Sequence, residues 1–385
     1  MLLHSGRVGR EIAEDLTCRQ WQLCDRLPAR AATDILIMMA PPPARTVHVV
    51  GSVPADSTKD ALGLLREELG ERLGPTVPDG QTGNRRNWIY RIVEGLRSHP
   101  ALELVRDGAW SDYSDIPAFR VRKGRRLRWL DLDYFAALER SWPDFVEFNT
   151  GGNRKLQVGI PSPAGLAYVT FGMNPARAAP NLAAFREATI REISAMHTRT
   201  GGEVVFQLEL PIELATISRL PLGARGLVAS RLASEVLRLV QTAPRGARFG
   251  LHVCLGDLNQ RALANPQNTG PAVLLANAIM ADWPPGRSLE YVHVGLAAGS
   301  EPPALDPDYY APLKTLWIPP EVRFIGGFIH ERRSVEELLM IRDELEHILE
   351  RSIDVAASCG LGRRDSNAAR QNLQLARVVA EKGDN

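Results

Sequence analysis

A histidine and two cysteines have the types and spacing of a metal site. His252 and Cys254 are two residues apart in an apolar run, and a β-strand places such residues on the same side. Cys359 directly follows a second apolar run, Ile353–Ser358. Imidazole nitrogen and thiolate sulfur suit Zn²⁺, and three protein ligands leave one position open, as in catalytic zinc sites. We therefore predict a catalytic zinc site formed by His252, Cys254 and Cys359.

The positions of the cysteines favour this hypothesis over core packing, which is the commoner role of an isolated His-x-Cys pair. The chain has four cysteines. Cys254 and Cys359 lie at the carboxyl ends of predicted strands, on what we expect to be one face of the fold. Cys18 and Cys24 lie in a polar N-terminal segment, at a spacing that makes a poor metal clip, and we predict no role for them in the site.

Three further residues near predicted strand ends are candidates for catalysis or binding. His293 is a possible fourth zinc ligand, a substrate-binding side chain or a packed one. His330 is a candidate general acid or base, because the pKa of histidine lies near neutrality; its alternative role is to cap the next helix. Arg363 could hold a substrate carboxylate or phosphate by bidentate contact, or be a surface charge where a helix begins.

The elements that must position these residues alternate between apolar runs and amphipathic stretches, a pattern typical of parallel βα units. Eight strands are predicted, over Val47–Val50, Thr76–Asp79, Leu156–Ile160, Val204–Glu209, Phe249–Cys254, Leu289–Val294, Val322–Ile329 and Ile353–Ser358. Helices are predicted over Asp60–Leu73, Leu182–His197, Ala229–Thr242, Pro271–Ala281, Val335–Glu350 and Ser366–Val379. This count predicts an α/β fold, a (β/α)8 TIM barrel, whose active site lies at the carboxyl ends of the strands.

Two segments depart from the repeating pattern. Residues 1–44 are polar, and we predict a loosely docked N-terminal extension with a short helix over Glu11–Leu27, followed by a barrel over residues 45–385. The long stretch 80–155 follows the second strand and is predicted to be an insertion that could act as a lid. Apolar and charged residues alternate on both sides of Lys123 and Gly124, which predicts a β-hairpin over 118–129.

Composition excludes several classes of protein. The 385 residues include 46 Lys and Arg and 45 Asp and Glu, so the chain lacks the basic excess of a nucleic-acid-binding surface. There is no apolar run of about 18 residues that would span a membrane. The N-terminus lacks the pattern of a secretory signal. We therefore expect a cytoplasmic protein with reduced cysteines and with no nucleic-acid or membrane partner.

On these motifs the chain resembles the cobalamin-independent methionine synthase family, specifically its catalytic C-terminal barrel and single-barrel relatives. Val50–Pro54 looks like the I-G-S-F-P opening of the family, and Gln207–Pro211 looks like its Q-I-D-E-P strand end. The His252-x-Cys254 pair and Cys359-Gly360 look like its zinc-binding motifs. The resemblance implies that Ser52, Gln81 and Glu209 hold a thiol substrate beside zinc.

The chain departs from the family pattern at the residues that would bind an amino acid. His293 stands near the position of the family's glutamate ligand. Gln81 stands where the family has an amine-binding glutamate, with Asp79 close by, and Glu209 replaces an aspartate. The N-terminal barrel that helps bind polyglutamated folate is also absent from this sequence. These differences argue against homocysteine and polyglutamated folate as the substrates.

The sequence thus predicts a zinc-dependent methyl- or alkyltransferase that activates a small-molecule thiol as a zinc thiolate and takes the group from a methyl donor. The reaction would be of the 5-methyltetrahydropteroyltriglutamate–homocysteine S-methyltransferase type, with other substrates. Two alternatives stay open. One is a metal-independent enzyme like uroporphyrinogen decarboxylase, and the other is a non-catalytic barrel that binds a small molecule.

Overall fold

Short apolar segments form parallel strands in the computed structural model of the protein, which describes residues 44–382. The strands within these residues are Val47–His48 (β1), Thr76–Pro78 (β2), Leu102–Arg106 (β3), Ala118–Val121 (β4), Lys155–Pro161 (β5), Val204–Glu209 (β6), Arg248–Val253 (β7), Ser288–Gly295 (β8), Arg323–Ile329 (β9) and Asp354–Ala357 (β10). Eight of them form one sheet in the order β1-β10-β9-β8-β7-β6-β5-β2. Each of the eight lies at a predicted strand position.

The sheet closes almost completely between its first and last strands. Val47 of β1 forms a parallel bridge with Leu73, and the Gly74 amide donates to the Val47 carbonyl oxygen at 2.9 Å. These contacts lie directly before β2 and bring the two edge strands together. The predicted (β/α)8 barrel is therefore confirmed, and the carboxyl ends of its strands share one rim.

Helices cover the outside of the barrel, as parallel connections require. Their bounds are Thr58–Leu69 (α1), Trp88–Gly95 (α2), Tyr134–Phe148 (α3), Pro163–Thr170 (α4), Pro175–Ala178 (α5), Leu182–Thr200 (α6), Pro211–Arg219 (α7), Leu222–Thr242 (α8), Gly270–Ala281 (α9), Val335–Leu349 (α10) and Ser366–Glu381 (α11). Within residues 44–382, none is long and apolar enough to cross a membrane. The helix predicted over Glu11–Leu27, and Cys18 and Cys24, lie outside the described residues.

Polar side chains form a hydrogen-bonded layer inside the barrel. The Tyr291 hydroxyl donates to the side-chain oxygens of Gln157 and Gln207, at 3.1 Å each, and His48 Nε2 lies 3.2 Å from the same Gln207 oxygen. Gly250 makes this layer possible, because a Cβ there would lie 2.2 Å from the Tyr291 ring. Since buried polar groups are stabilised by such pairing, the layer fixes a rigid base below the rim.

The β-hairpin predicted over 118–129 is wrong, because its two halves do not pair with each other. Strand β4 pairs antiparallel with the earlier strand β3, and the residues after Gly124 form no strand. The predicted turn is present, since Gly124 has a φ of 77°. Beyond it, Leu127 and Leu130 are buried in the core cluster while Trp129 is 81% exposed, so the alternation in the sequence there does not correspond to one buried face of a strand.

A buried carboxyl group near the rim makes the stability of the fold depend on pH. Glu213 lies in α7 and accepts a hydrogen bond from the Ser162 hydroxyl. Burial raises its pKa from 4.5 to about 7. The folded protein therefore holds a proton that the unfolded chain has lost between these two pH values, so stability falls as pH rises through this window.

Replacing Glu213 with glutamine should remove this dependence. Between pH 5 and pH 8, the free energy of unfolding of the wild type is expected to fall by about 2–3 kcal/mol relative to that of Glu213→Gln. Chemical denaturation at both pH values measures the difference, and other titrating groups cancel because both proteins carry them. An unchanged difference between the two proteins at pH 5 and pH 8 would contradict the prediction.

Candidate metal centre and substrate cavity

Three metal-binding side chains meet at the rim of the barrel. His252 lies in β7, Cys254 directly follows that strand, and Cys359 follows β10. One ligand atom from each residue lies within 4.8 Å of those of the other two. Both thiols are free, and Cys254 and His252 are buried. The donor set of one imidazole and two thiols is one that zinc binds.

Hydrogen bonds behind His252 fix which of its nitrogens is available. His293 Nε2 lies 3.0 Å from the Ala357 carbonyl oxygen, and a carbonyl can only accept, so Nε2 carries the proton. Burial holds the pKa of His293 well below its ordinary value, which keeps the ring neutral and leaves Nδ1 as an acceptor. His252 Nδ1 lies 2.8 Å from this Nδ1 and must therefore donate.

In its neutral form, His252 is thus left with an unprotonated Nε2. This atom is buried and has no hydrogen-bond partner, although a buried polar atom without a partner is costly. A lone pair without a partner beside two thiols is what a metal ligand requires, and a backbone or side-chain acceptor behind a metal-binding histidine is the usual way to orient it. The residues present therefore fit a zinc ion.

The two thiols share one proton unequally. The hydrogen bond from Cys254, assisted by the charge of Arg363, holds the pKa of the Cys359 thiol well below its ordinary value. Arg363 Nη2 donates to Cys359 Sγ at 3.3 Å. The same hydrogen bond, together with burial, raises the pKa of Cys254. A cysteine binds a metal ion as its thiolate. Cys359 is therefore the cysteine whose thiol is already closer to the metal-binding form.

Arg363 is held in place by other groups of the protein. Its Nη2 lies 3.1 Å from Asp257 Oδ2, and its Nη1 donates to the Arg86 carbonyl oxygen at 2.8 Å. Arg364 Nη1 lies 3.7 Å from the same Asp257 oxygen. Burial raises the pKa of Asp257 to about 6. The Arg363 guanidinium is therefore already paired, and its direct contact is with the cysteine site.

A cavity of about 720 Å³, open to solvent, lies above the cysteines. Its base includes Glu209, Cys254, Cys359 and Arg363. Its roof comes from the insertion between β2 and β5, through Trp110, Tyr113 and Ile116. These roof residues were not among the candidates predicted from the sequence. The signal available for them was a short aromatic cluster in a segment predicted to be a possible lid.

Glu209 is a predicted substrate-binding residue that lines the same cavity as the thiols. Its Oε1 accepts from the Gln207 side-chain amide at 3.0 Å, and burial raises its pKa to about 7. Gly159 is needed beside it, because a Cβ there would lie 2.4 Å from Glu209 Oε1. The carboxyl group can therefore exchange a proton near neutral pH.

The other predicted substrate-binding residues lie to one side. Asp79 pairs with Arg85 at 2.6 Å and accepts from the Gln81 amide at 3.0 Å. Asp79 and Gln81 line a neighbouring cavity of about 490 Å³. Ser52 is buried, and its hydroxyl accepts from the Gly362 amide at 3.3 Å. The structure places Glu209 and Arg363 together with the cysteines, and Asp79 and Gln81 together in the adjoining space.

His330 lies apart from this group. Its Nδ1 accepts from the Arg332 amide at 3.1 Å, and its Nε2 lies 3.3 Å from the Gly299 carbonyl oxygen. Both ring nitrogens are therefore used by the backbone, and burial lowers the pKa of the ring. His293 differs, because it touches His252 and thus acts on the site through a ligand.

The fold is similar to that of two solved structures. A Listeria monocytogenes protein assigned as a vitamin-B12-independent methionine synthase is 12% identical, covers 86% of this chain and 96% of its own, and has a TM-score of 0.56. A B12-independent methionine synthase from Shewanella sp. W3-18-1, in complex with selenomethionine, is 11% identical, covers 88% and 97%, and has a TM-score of 0.56. No protein-family profile matches the chain, nor does any curated protein. At these identities the likeness establishes the fold.

Proposed function

We propose that the protein is a zinc-dependent methyl- or alkyltransferase whose acceptor is a small-molecule thiol. The observation that carries the proposal is the unpartnered Nε2 of His252, which belongs to a group with two free cysteine thiols. Three protein donors leave a fourth position for a substrate atom. The names of the two structures with the same fold, which are those of methionine synthases, support methyl transfer as the reaction type.

Each residue of the site has a role in this reaction. A bound zinc ion would supply the charge that draws the proton from a thiol and leaves a nucleophilic sulfur. His252, Cys254 and Cys359 would hold the ion, and the hydrogen bond from Cys254 together with the charge of Arg363 favours the thiolate form of Cys359. His293 acts as a positioning residue, because it holds the His252 ring with its Nε2 free.

Glu209 would accept the proton that the thiol substrate loses in this reaction. The thiol proton passes to the Glu209 carboxylate, whose pKa of about 7 allows it to accept and release a proton near neutrality. A sulfur–carbon bond then forms while the bond between that carbon and the donor breaks, and the electron pair leaves with the donor. The cavity roof restricts water around the reacting sulfur. Gln81 and Asp79 would contact the part of a substrate that extends into the neighbouring cavity.

Metal content and proton release test this proposal together. Protein purified without chelators or a metal-affinity tag should contain about one zinc per chain, as expected for a site with three protein ligands. Addition of 2-mercaptoethanol to the zinc-loaded protein in weak buffer at about pH 8, above the pKa of Glu209 so that this carboxyl group passes the proton on to solvent, should release about one proton per chain. A pH-indicator dye records the release, and metal-free protein with the same thiol is the control.

Two results would contradict the proposal or favour its non-catalytic alternative. Folded protein that contains no zinc and takes up none on titration would remove the basis for thiol activation. Zinc uptake with no proton release on thiol addition would favour the non-catalytic alternative.

A further inference from the structure

The cavity beside the cysteines has the lining of a site for an apolar ligand. Its walls are mainly apolar and aromatic, with contributions from Ile89, Tyr90, Trp110, Ile116, Val169 and Ile212. A four-carbon thiol amino acid would leave much of this apolar surface in contact with water.

The roof of the cavity is fixed to the rim next to Cys254. The Leu258 amide donates to the Tyr113 hydroxyl at 3.0 Å, and the Asn259 side chain donates to the Trp110 carbonyl oxygen at 2.9 Å. Gly256 has a φ of 74°, and a Cβ there would lie 2.5 Å from the Tyr113 hydroxyl. The backbone after β7 is thus shaped to receive the roof, so a substrate whose sulfur reaches the cysteines would extend beneath Trp110.

Two of the three carboxyl groups at the two cavities are already paired with arginines. Asp257 contacts Arg363 at 3.1 Å, and in the adjoining cavity Asp79 contacts Arg85 at 2.6 Å. The third, Glu209, is hydrogen-bonded by the neutral Gln207 amide. The carboxylate of an amino acid would have to displace one of the arginine pairs or be buried without a partner, which is costly. An uncharged substrate body incurs neither cost.

We propose that the thiol substrate carries an uncharged aromatic or branched aliphatic body that fills this cavity, in place of an amino-acid head group. The inference rests on the proposed function, because it takes the cysteine end of the cavity as the position of the substrate sulfur. The body then packs between the roof and α7, where Ile212 lies.

Thiol binding to the cobalt-substituted protein tests the substrate class without a methyl donor. Co²⁺ replaces zinc in the full chain, and the change in the cobalt–sulfur absorption band from that of the two cysteine ligands alone reports each added thiol. 2-Phenylethanethiol should bind at least about tenfold more tightly than homocysteine, because burial of its ring in the apolar cavity contributes binding free energy. 2-Mercaptoethanol serves as a thiol that reaches the metal without filling the cavity.

Variants of the wall locate the binding energy. Tyr90→Ala and Ile212→Ala should each weaken 2-phenylethanethiol by about fivefold and leave 2-mercaptoethanol unchanged. Leu104→Ala is the matched control, since Leu104 is 41% exposed on β3 of the same insertion and lies outside the cavity wall. It should alter neither Kd.

The outcomes separate the two proposals. Homocysteine binding as tightly as 2-phenylethanethiol, or wall variants that weaken 2-mercaptoethanol equally, would overturn the apolar substrate and leave thiol activation intact. A cobalt–sulfur band that none of the three thiols changes would overturn the proposed function, and this inference with it.

Discussion

Replacing Cys359 with serine is expected to lower the affinity of the protein for zinc by at least about a thousandfold, because a protonated hydroxyl replaces a soft thiolate ligand. Cys359 is the thiol whose pKa is held well below its ordinary value, through the hydrogen bond from Cys254 and the charge of Arg363. Serine would keep its proton beside the same guanidinium. Competition with a chelator of known zinc affinity measures the change.

The other two cysteines supply a matched control for this variant. The Cys18→Ser, Cys24→Ser double variant removes thiols from the chain but should retain the zinc affinity of the wild type. Cys254→Ser should lose affinity as Cys359→Ser does. Zinc affinity that falls in the double variant and survives in Cys359→Ser would show that the metal binds elsewhere in the chain.

Replacing His293 with leucine is expected to weaken zinc binding by about 10–100-fold, the effect typical of residues that orient a metal ligand. His293 Nδ1 accepts from His252 Nδ1 at 2.8 Å. Leucine offers no acceptor, so the His252 ring would be free to carry its proton on Nε2, the nitrogen that the metal requires. His293→Gln should restore most of the affinity, since its side-chain oxygen can accept from His252.

Nitrogen chemical shifts of His252 distinguish this positioning role from a general loss of structure. In the metal-free wild type, His252 should be protonated on Nδ1. In His293→Leu, the Nε2-protonated form should become substantially populated. His330→Gln is the matched control, because His330 is also buried at the rim but bonds to the backbone at both nitrogens. An unchanged His252 tautomer together with weakened zinc binding would contradict the positioning role.

Local pattern determined the barrel and most of the candidate metal site. Each strand and its following helix have their own hydrophobic period, so eight units could be counted along the chain without any knowledge of their contacts. Parallel strands bring their carboxyl ends to one rim. His252, Cys254 and Cys359 could therefore be grouped from their positions at strand ends, although more than a hundred residues separate the two cysteines.

Pairing partners and side-chain directions were decided by the tertiary structure. The strand Ala118–Val121 pairs with Leu102–Arg106, because the partner of a strand depends on which edge lies beside it and not on its own alternation. His293 was a candidate ligand by sequence. Its ring is instead held between Ala357 and His252, an arrangement that depends on three different strands.

The sequence by itself determined the barrel, the rim on which the candidate site lies and three side chains of that site, since these follow from periodicity and chain order. The tertiary structure alone decided which histidine nitrogen is free, which thiol is the more acidic and what covers the cavity. These properties arise from contacts at a few ångströms between distant segments, such as Arg363 with Cys359 and Tyr113 with Leu258. Distances of this kind are set by the packing of the folded chain. They cannot be obtained from the spacing of residues along the sequence.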